Sequence, residues 1–497
     1  MKTGILRAII MAFMIMVSTV FSPLASKAEL KENNVETAKI DKYMESVMNR
    51  LHIPGAAVGI VKGDQMIYLK GYGISGPDKT PVTPQTSFVI GSTSKSFTAL
   101  AVMQLVEEGK IDLNAPILRY LPWFEVANKE ASMKILVKDL LYQTSGFSTH
   151  DGVVGIVKGN MSIEEYIRSL KSTSLADPVG SRFQYSNVNY NILGAIVETV
   201  SGEPFPQYMS NHIFKPLDMN HSYASTDEAE QQSKATGYQP VFGFMVPTQQ
   251  LNHQATVASG YLLSSAEDMS KYVIAQMNGG SFDNKSILSE KGIEQLHRPS
   301  ASMGNGASYA MGWTVKNDVI FHDGKTENTY SFMVINGDYG IVLLTNAQDS
   351  LVSYDSVIMG IHGILMGEEP SLDDIPDFNQ TYLIVNLAVL VVLAIVAWSI
   401  YSVFTWRTNC KATTFGISLH SLFILFFHLL IPLTILFYLP KILISPWSAI
   451  MLFLPGLGHF LICISILLLF MGVIKTFLII RSARFMKHTR KQVRHIS

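Results

Sequence analysis

The chain has 497 residues, of which 48% are hydrophobic and 15% are charged, and its formal net charge is −1. This length allows one large or two ordinary domains with a buried core, so a disordered or fibrous protein is excluded. The charges are unevenly spread: residues 29–380 hold 25 basic and 39 acidic residues, whereas ten basic residues and no acid follow Gln380. The acidic part argues against a nucleic-acid partner. The apolar, basic C-terminal part predicts a membrane protein with a soluble domain.

The N-terminal residues 1–28 have the order of a targeting segment. A short basic stretch is followed by an apolar run between Ala8 and Phe21 and then by small residues. This order predicts a secretory signal peptide that is cleaved after Ala28. An uncleaved membrane anchor is the alternative, although an apolar run of about 14 residues is short for a span.

Residues 29–365 are predicted to form one domain with strands near both ends and helices in the middle. Strands are expected at Ala56–Lys62, Gln65–Gly71, Val319–Phe321, Tyr330–Ile335 and Gly340–Thr345. Helical patterns cover Val35–Leu51, Thr93–Glu108, Val137–Gln143, Ile163–Leu170, Asn189–Ser201 and Ala266–Met277. A sheet made from both chain ends around a helical middle is an α+β fold.

The C-terminal part divides into a linker and a membrane region. Residues 366–380 contain prolines and acids with little periodicity, which predicts a linker. Within residues 381–497, apolar stretches predict an all-α region with membrane spans at about 382–404, 415–439 and 457–477. Pro455 and Gly456 interrupt the third apolar stretch, so its first part is expected to be broken or interfacial.

The basic residues predict the orientation of the spans. Arg407 and Lys411 lie between the first two spans and six basic residues follow the third, so both segments are expected in the cytoplasm. We therefore predict a multi-pass protein of the cell membrane with an extracellular domain and a cytoplasmic tail. The histidines inside the spans either line a path or pack in the bundle, and packing is the favoured interpretation: His420, His428 and His459. Both cysteines, Cys410 and Cys463, fall in this region, so the soluble part has no disulfide framework and no cysteine nucleophile.

A serine and a lysine open the helix that is predicted after Gly91. Ser92 and Lys95 are three residues apart, so on a helical turn they share a face and the ammonium can sit beside the hydroxyl. A serine hydroxyl becomes a nucleophile when a base takes its proton, and burial can lower a lysine pKa towards neutrality. The pair alone is a weak signal, and an ordinary helix cap at Ser92 is the alternative.

Two later segments supply complementary groups. Tyr185 can exchange a proton with the serine, and the amide of Asn187 can hold the lysine or a substrate carbonyl. His322, Gly324 and Lys325 lie between predicted strands. A glycine at 324 would let a substrate backbone approach, and the Lys325 N–H can pair with the Ser92 N–H as an oxyanion hole.

The order of these motifs resembles the penicillin-recognising serine hydrolases, and most closely their class C β-lactamase-related branch of D,D-peptidases, esterases and D-aminopeptidases. Other segments also resemble this branch: Asp139–Leu141, Thr144–Gly146, Tyr185–Phe205, Ser259–Gly260, Ser264–Asp268 and Gly312–Trp313. The resemblance covers roughly residues 35–365.

The resemblance implies a role for each motif residue. Ser92 would be the acylated nucleophile, Lys95 and Tyr185 would share the general-base role, and Asn187 would orient the substrate. Which of Lys95 and Tyr185 takes the serine proton stays open. His322, Gly324 and Lys325 would border the site, and the resemblance implies neither a metal nor a cofactor.

His322 stands where many relatives carry a lysine that grips a substrate carboxylate. Because histidine is mostly neutral near pH 7, efficient β-lactamase action is not expected. Other members of the branch also carry histidine here, so activity itself remains expected. The Lys325 side chain is either a substitute cation or a solvated surface lysine. His150 is a further candidate for substrate contact.

Together these features predict a membrane-anchored, extracytoplasmic serine hydrolase that cleaves an amide or ester through an acyl-Ser92 intermediate. Cell-wall D-alanyl peptides, D-alanyl esters and β-lactams are the expected ligands. A non-catalytic sensor or wall-assembly partner is one alternative, and a small-substrate esterase, which His322 favours, is another. The sequence identifies no protein partner.

Overall fold

The computed structural model describes residues 34–158, 161–225, 234–250, 253–405 and 414–496. The predicted signal peptide, together with Arg407 and Lys411, lies outside the described residues. The side chains of residues 36–158, 161–225, 234–250, 253–405 and 415–484 are the basis for the contacts reported below.

Eight strands of the described chain form one antiparallel sheet, in the order β2-β1-β14-β13-β12-β11-β10-β9. The strands in chain order are β1 (Gly55–Lys62), β2 (Gln65–Gly73), β3 (Phe88–Val89), β4 (Gly237–Val241), β5 (Phe244–Thr248), β6 (Leu263–Ser264), β7 (Ser281–Phe282), β8 (Lys285–Ser286), β9 (Ala301–Gly304), β10 (Ala307–Tyr309), β11 (Thr314–Lys316), β12 (Val319–Lys325), β13 (Tyr330–Asn336) and β14 (Tyr339–Thr345). The pairs β3–β6, β4–β5 and β7–β8 form separate two-stranded sheets.

The helices of the soluble part lie mainly between β2 and β9. In chain order they are α1 (Asn34–Leu51), α2 (Ser94–Glu107), α3 (Lys129–Lys134), α4 (Val137–Leu141), α5 (Thr149–Ile156), α6 (Ile163–Arg168), α7 (Asn187–Ser201), α8 (Phe205–Met209), α9 (Val257–Gly260), α10 (Ala266–Met277), α11 (Glu290–His297) and α12 (Asp355–Leu365). A 3₁₀ turn at Gly91–Thr93 leads directly into α2.

Both faces of β1 are buried, which explains its continuous apolar sequence. Side chains alternate between the faces. Ala57 and Val61 join the core beneath the helical middle of the chain, whereas Val58 and Ile60 pack towards α1 and α12. The sheet thus separates two layers of helices, and one of its faces supports the helices from the middle of the chain.

The predicted α+β arrangement is confirmed: β1 and β2 from one end of the domain join β12–β14 from the other. Strands β9–β11 were not predicted, because they have only three or four residues each and lack a run of alternating apolar positions. Helix α7 begins at Asn187, two residues before its predicted start. Strand β12 extends to Lys325, four residues beyond its predicted end, since pairing with β13 continues through Asp323 and Gly324.

The C-terminal part contains α13 (Phe378–Phe404), α14 (Thr414–Phe423), a π-helix (Ile424–Leu430), α15 (Ile431–Ile442), α16 (Trp447–Phe453) and α17 (Leu457–Ile496). Three helical stretches of the described chain are long and apolar enough to cross a membrane: Phe378–Phe404, Phe415–Ile442 and Leu457–Arg484. Most of their surface is not covered by protein. The protein is therefore membrane-associated, and the break at Pro455 and Gly456 separates α16 from α17.

Candidate active site

Ser92 lies at the start of α2, in the 3₁₀ turn that precedes the helix. Gly91 has φ +53°, and a Cβ there would lie 2.6 Å from the backbone of Gly324 and of Lys325, so glycine is required for this close approach. Ser92 is partly exposed, whereas the next residues along α2 are buried. The hydroxyl thus opens to the surface at a helix N-terminus, where backbone N–H groups favour negative charge.

The Lys95 ammonium uses its three donors on neutral acceptors. Its Nζ donates to Ser92 Oγ at 2.9 Å, to Asn187 Oδ1 at 2.8 Å and to the Ser259 carbonyl at 2.5 Å. The Lys95 residue is 0% exposed. Burial holds the pKa of Lys95 well below its usual value, and nearby Asp323 offsets only part of this shift.

Tyr185 lies beside Lys95, whose Nζ is 4.9 Å from the centroid of the Tyr185 ring. Burial raises the pKa of Tyr185 well above its usual value and nearby Tyr309 adds to the shift, while a hydrogen bond with Ser92 opposes it. The phenol is thus protonated at neutral pH. The Tyr185 hydroxyl can therefore donate a proton beside Ser92 Oγ.

Asn187 is the first residue of α7 and follows the cap residue Ser186. Its side-chain NH₂ donates to the Gly152 carbonyl at 3.5 Å while its oxygen accepts from Lys95. A Cβ at Gly152 would lie 2.6 Å from the Asn187 backbone nitrogen, so α5 packs tightly against the start of α7. The amide orientation is therefore fixed from two sides.

His322 is buried on β12, beside Tyr185 and Tyr309. Its Nδ1 donates to the Asp323 carbonyl at 2.6 Å, which leaves Nε2 to accept from the Tyr309 hydroxyl at 3.3 Å. Burial lowers the pKa of His322 to about 4, against an opposing effect of Asp323. His322 is thus a neutral wall of the site at physiological pH.

Gly324 brings β12 against the serine turn. A Cβ at this position would lie 2.1 Å from the Ile90 carbonyl and 3.0 Å from the Ser92 nitrogen. The Thr326 amide donates to the Thr329 carbonyl at 3.0 Å. Because antiparallel pairing alternates, the Lys325 amide then points away from β13, towards the serine turn. The backbone N–H groups of Ser92 and Lys325 can therefore face one oxygen atom.

The Lys325 side chain does not join this group. Its Nζ lies 3.0 Å from Asp355 Oδ1 and 3.4 Å from Asp323 Oδ2, among groups on the other face of the sheet from Ser92. The hypothesis that it provides a substitute cation is thus not supported by its position. Alternation along β12 is the physical reason, since residues 322 and 324 share the face towards the site.

Among the described residues, His150 forms no hydrogen bond with Ser92, Lys95, Tyr185 or Asn187. It is exposed on α5, and its Nδ1 donates to the Ile444 carbonyl, 3.4 Å away, in the segment between α15 and α16. Its predicted role in substrate contact remains a prediction.

Two further residues that sequence reasoning did not assign complete the site. The Ser259 carbonyl anchors Lys95, and the only signal for it was the Ser259–Gly260 pair noted above. Tyr309 touches His322 from β10, a strand too short to be predicted. Among the described residues, no group of three or more histidines, cysteines, aspartates or glutamates is placed to hold a metal ion.

Comparisons with known proteins identify the family of the chain. The Beta-lactamase family model matches residues 40–362. The Protein flp of Staphylococcus aureus (strain MW2) is 31% identical over 328 residues, which cover 64% of this chain and 65% of that protein. The match thus spans just under two thirds of that relative. The Putative penicillin-binding protein PbpX of Bacillus subtilis (strain 168) is 27% identical over 328 residues, 65% of this chain and 78% of PbpX.

A solved structure shares the fold. The octameric penicillin-binding protein homologue from Pyrococcus abyssi superposes with a TM-score of 0.59 at 29% identity, over 68% of this chain and 79% of that one. The family match covers more than half of the chain and includes Ser92, Lys95, Tyr185, Asn187 and the β12 segment. The chain therefore belongs to the beta-lactamase family.

Proposed function

We propose that the protein is a serine hydrolase that opens an ester or amide through an acyl-Ser92 intermediate. The observation that carries the proposal is the 2.9 Å hydrogen bond between Ser92 and Lys95, whose buried amine has a lowered pKa and no carboxylate partner among its hydrogen bonds. Such a lysine loses its proton more easily than a solvated one, and its neutral form can act as a base.

In the proposed reaction Lys95 takes the Ser92 proton while Oγ attacks the substrate carbonyl carbon. The carbonyl oxygen becomes an oxyanion that the Ser92 and Lys325 backbone N–H groups stabilise. When the C–O or C–N bond breaks, Tyr185 gives its proton to the leaving group and is reprotonated through Lys95. Water then attacks the acyl-Ser92 ester and gives a proton to the Lys95–Tyr185 pair. The pair returns a proton to Ser92 Oγ as the acid leaves, which restores the serine.

The neutral state of His322 affects which substrates the site can bind well. A carboxylate-bearing substrate is gripped best by a fixed cation, and the proposed carboxylate-facing wall holds an uncharged imidazole instead. This favours an ester without a free carboxylate, such as a D-alanyl ester, over a peptide that ends in a free carboxylate. The small-substrate esterase thus stands ahead of the peptidase.

We also propose the predicted orientation, in which the hydrolase domain faces the outside and the C-terminal tail faces the cytoplasm. The excess of basic residues between the first two apolar helices and after the third supports it. Cell-wall D-alanyl esters and peptides are the substrates that such a location makes available.

The hypothesis is tested by labelling the full-length protein with a fluorescent fluorophosphonate and with a fluorescent penicillin. Ser92→Ala should abolish labelling, because no other hydroxyl is hydrogen-bonded to Lys95 in the described chain. Ser96→Ala is the matched control, since Ser96 lies on the same helix and donates to the Thr93 carbonyl instead.

Unchanged labelling of Ser92→Ala would refute the assignment of the nucleophile. Penicillin labelling of the unmodified chain that persists for hours, without turnover of any D-alanyl ester or amide, would instead favour the non-catalytic sensor. Competition by β-lactams and by simple esters then ranks the ligand classes.

A further inference from the structure

The first apolar helix begins inside the core of the hydrolase domain. Phe378, which is 1% exposed, stacks on His52 with ring centroids 4.4 Å apart. One turn later the buried Tyr382 donates to Asp349 Oδ1 at 3.2 Å. The preceding residues are also docked, since the carbonyl of buried Ile375 accepts from Arg50 Nε at 2.9 Å. The predicted linker therefore fixes the helix to the domain.

The segment between α15 and α17, residues 443–456, holds the domain from another side; we call it the outer loop. Leu452 and Phe453 pack into a small apolar cluster of the hydrolase domain made by Val89, Ile156, Tyr223, Tyr261 and Leu263. Gln239 Nε2 donates to the Leu452 carbonyl at 2.7 Å, and Ser350 Oγ donates to the Phe453 carbonyl at 2.9 Å. The outer loop is thus held by apolar packing and by two hydrogen bonds.

The cluster contacted by the outer loop is built from residues next to the catalytic groups. Val89 precedes Ser92 by three residues, and Tyr261 follows Ser259, the carbonyl partner of Lys95, by two. A third contact joins His150, on the helix that packs against Asn187, to the Ile444 carbonyl. The outer loop therefore lies beside the active site.

Ile444 itself adopts φ +52°. This conformation is rare for a β-branched residue and persists only where the surroundings impose it. The outer loop is thus held in a defined conformation where it meets His150.

The β4–β5 hairpin extends this surface. Asn386, eight residues into α13 and so about 12 Å along it, donates to the Phe242 carbonyl at 3.0 Å. Gly243 has φ +89°, and a Cβ there would lie 3.0 Å from the Tyr382 Cβ. The next residue, Phe244, is 76% exposed. The hairpin tip, residues 242–246, therefore places an exposed aromatic ring beside the helix that carries the exposed apolar residues Leu383, Ile384 and Leu387.

We propose that the hairpin tip and the outer loop seat the hydrolase domain on the bilayer. The occupant of the exposed hairpin tip is the lipid interface, because the adjoining surface of α13 is apolar and long enough to cross a membrane. The active site is thereby held close to the membrane surface. Its substrate is an ester or amide carried on a membrane-anchored molecule; this last step rests on the proposed hydrolase function, whereas the seating does not.

The seating is tested by tryptophan quenching in vesicles that contain brominated phospholipids. Phe244→Trp in the full-length protein should add fluorescence that the brominated lipid quenches. Met303→Trp is the matched control, since Met303 is an exposed apolar residue of β9, at the far edge of the large sheet. The unsubstituted protein corrects for the native tryptophans. Equal quenching at the two positions, or none at Phe244→Trp, would overturn the seating.

The substrate class is tested with a matched pair of probes, the D-alanyl ester of phosphatidylglycerol in the same vesicles and the water-soluble D-alanyl ester of glycerol. The anchored ester should be hydrolysed at least about tenfold faster at equal bulk concentration, because anchoring raises its effective concentration at the site. Phe453→Ala should remove most of this preference while fluorophosphonate labelling of Ser92 stays within about twofold. Phe437→Ala, on the exposed face of α15, should change neither.

The possible failures are distinguishable. Absence of Ser92 labelling in the unsubstituted protein would refute the hydrolase proposal, while quenching at Phe244→Trp would still decide the seating. Normal labelling with equal turnover of the two esters would overturn the membrane-anchored substrate. Equal loss of both esters in Phe453→Ala would assign the outer loop a purely structural role.

Discussion

Lys95 is surrounded by oxygen atoms that carry no full charge. Its three acceptors are a hydroxyl, a side-chain amide and a backbone carbonyl, and all three distances are below 3.0 Å. A carboxylate at any of these places would stabilise the ammonium and raise its pKa. The Asn187 amide carries no charge, so it orients the Lys95 amine without stabilising its protonated form.

Asn187→Asp should move the rising limb of the acylation rate to higher pH. The new carboxylate would lie about 2.8 Å from Nζ, so it would raise the pKa of Lys95 and reduce the fraction of neutral amine at pH 7. Each unit of increase should lower the rate at pH 7 about tenfold, with recovery at alkaline pH. The measurement is Ser92 acylation by an uncharged ester probe between pH 5 and 10.

Asn187→Ala provides the comparison, because it removes the same hydrogen bond without adding charge. The Ala variant should lower the rate with little movement of the midpoint. If the Asp and Ala variants share one midpoint, Lys95 is not the group whose deprotonation limits acylation.

Helical spacing predicted only one of the contacts in the site, and the others required further information. Helical spacing alone places Ser92 and Lys95 together, whereas Tyr185 and Asn187 are joined to them across more than 80 residues of chain and were assigned through family resemblance. For the Lys325 side chain the sequence left two alternatives, a substitute cation and a solvated surface lysine. Once β12 is known to extend to residue 325, the alternation of a strand directs that side chain away from the site.

Strand β12 acts as the second wall of the site because its outer edge is free beside the serine turn. Strand β11 pairs only with Val319–Phe321, so the remaining residues of β12 are hydrogen-bonded on the β13 side. The free edge meets Gly91–Thr93 instead. Two glycines, Gly91 and Gly324, allow this approach of two backbones.

Gly324→Ala should strongly lower the rate of Ser92 acylation and have a smaller effect on the thermal stability of the domain. The added methyl would lie 2.1 Å from the Ile90 carbonyl, so the strand must move away from the serine turn and separate the two N–H donors. Loss of oxyanion stabilisation lowers rates about 100-fold or more. The acylation rate and the thermal unfolding of the full-length variant are the two measurements.

Gly260→Ala is the control, because a methyl there meets Gly91 only at the ordinary contact distance of 3.8 Å. It should keep most of the acylation rate. A Gly324→Ala protein that acylates as fast as this control would show that the β12 edge does not supply the oxyanion donor.

At this scale the helices with a clear apolar period were predictable and the shortest strands were not. Helix α10 has the bounds that its periodicity indicated, since twelve residues carry a clear apolar face. Strands β9–β11 depend on pairing with a neighbour across the sheet, and a three-residue strand shows no period of its own. Tyr309, on one of them, was therefore missed.

The β-lactamase-family domain and the membrane-associated helices share one core. Ile375, Phe378 and Tyr382 pack in the same apolar cluster as α1 and α12. The sequence of residues 366–380, with its acids and prolines, predicted a linker because composition does not reveal contacts with residues more than 300 positions away. Docking of the outer loop was unpredictable for the same reason.

Phe378→Ala should destabilise the β-lactamase-family domain although the residue belongs to an apolar helix. Removal of a buried phenylalanine side chain typically costs about 3–5 kcal/mol, and the stacking partner His52 would lose its contact. Leu387→Ala, at a position 54% exposed on the same helix, should have little effect. The measurement is the temperature at which the purified full-length protein loses Ser92 labelling. Equal temperatures for the two variants would mean that α13 is not part of the domain core.

The pairing of β1 with β14 has a consequence for biogenesis. Residues 56–62 pair with the nearby β2 on one edge, but their partners on the other edge lie at residues 339–345, so this edge stays unpaired until nearly 290 further residues have left the ribosome. Pairings so distant along the chain form slowly because the intervening loop must close first. Helix α13 starts only 33 residues after Thr345. Completion of the sheet and synthesis of the first apolar helix are therefore almost simultaneous, and the nascent chain must be protected from aggregation until that moment.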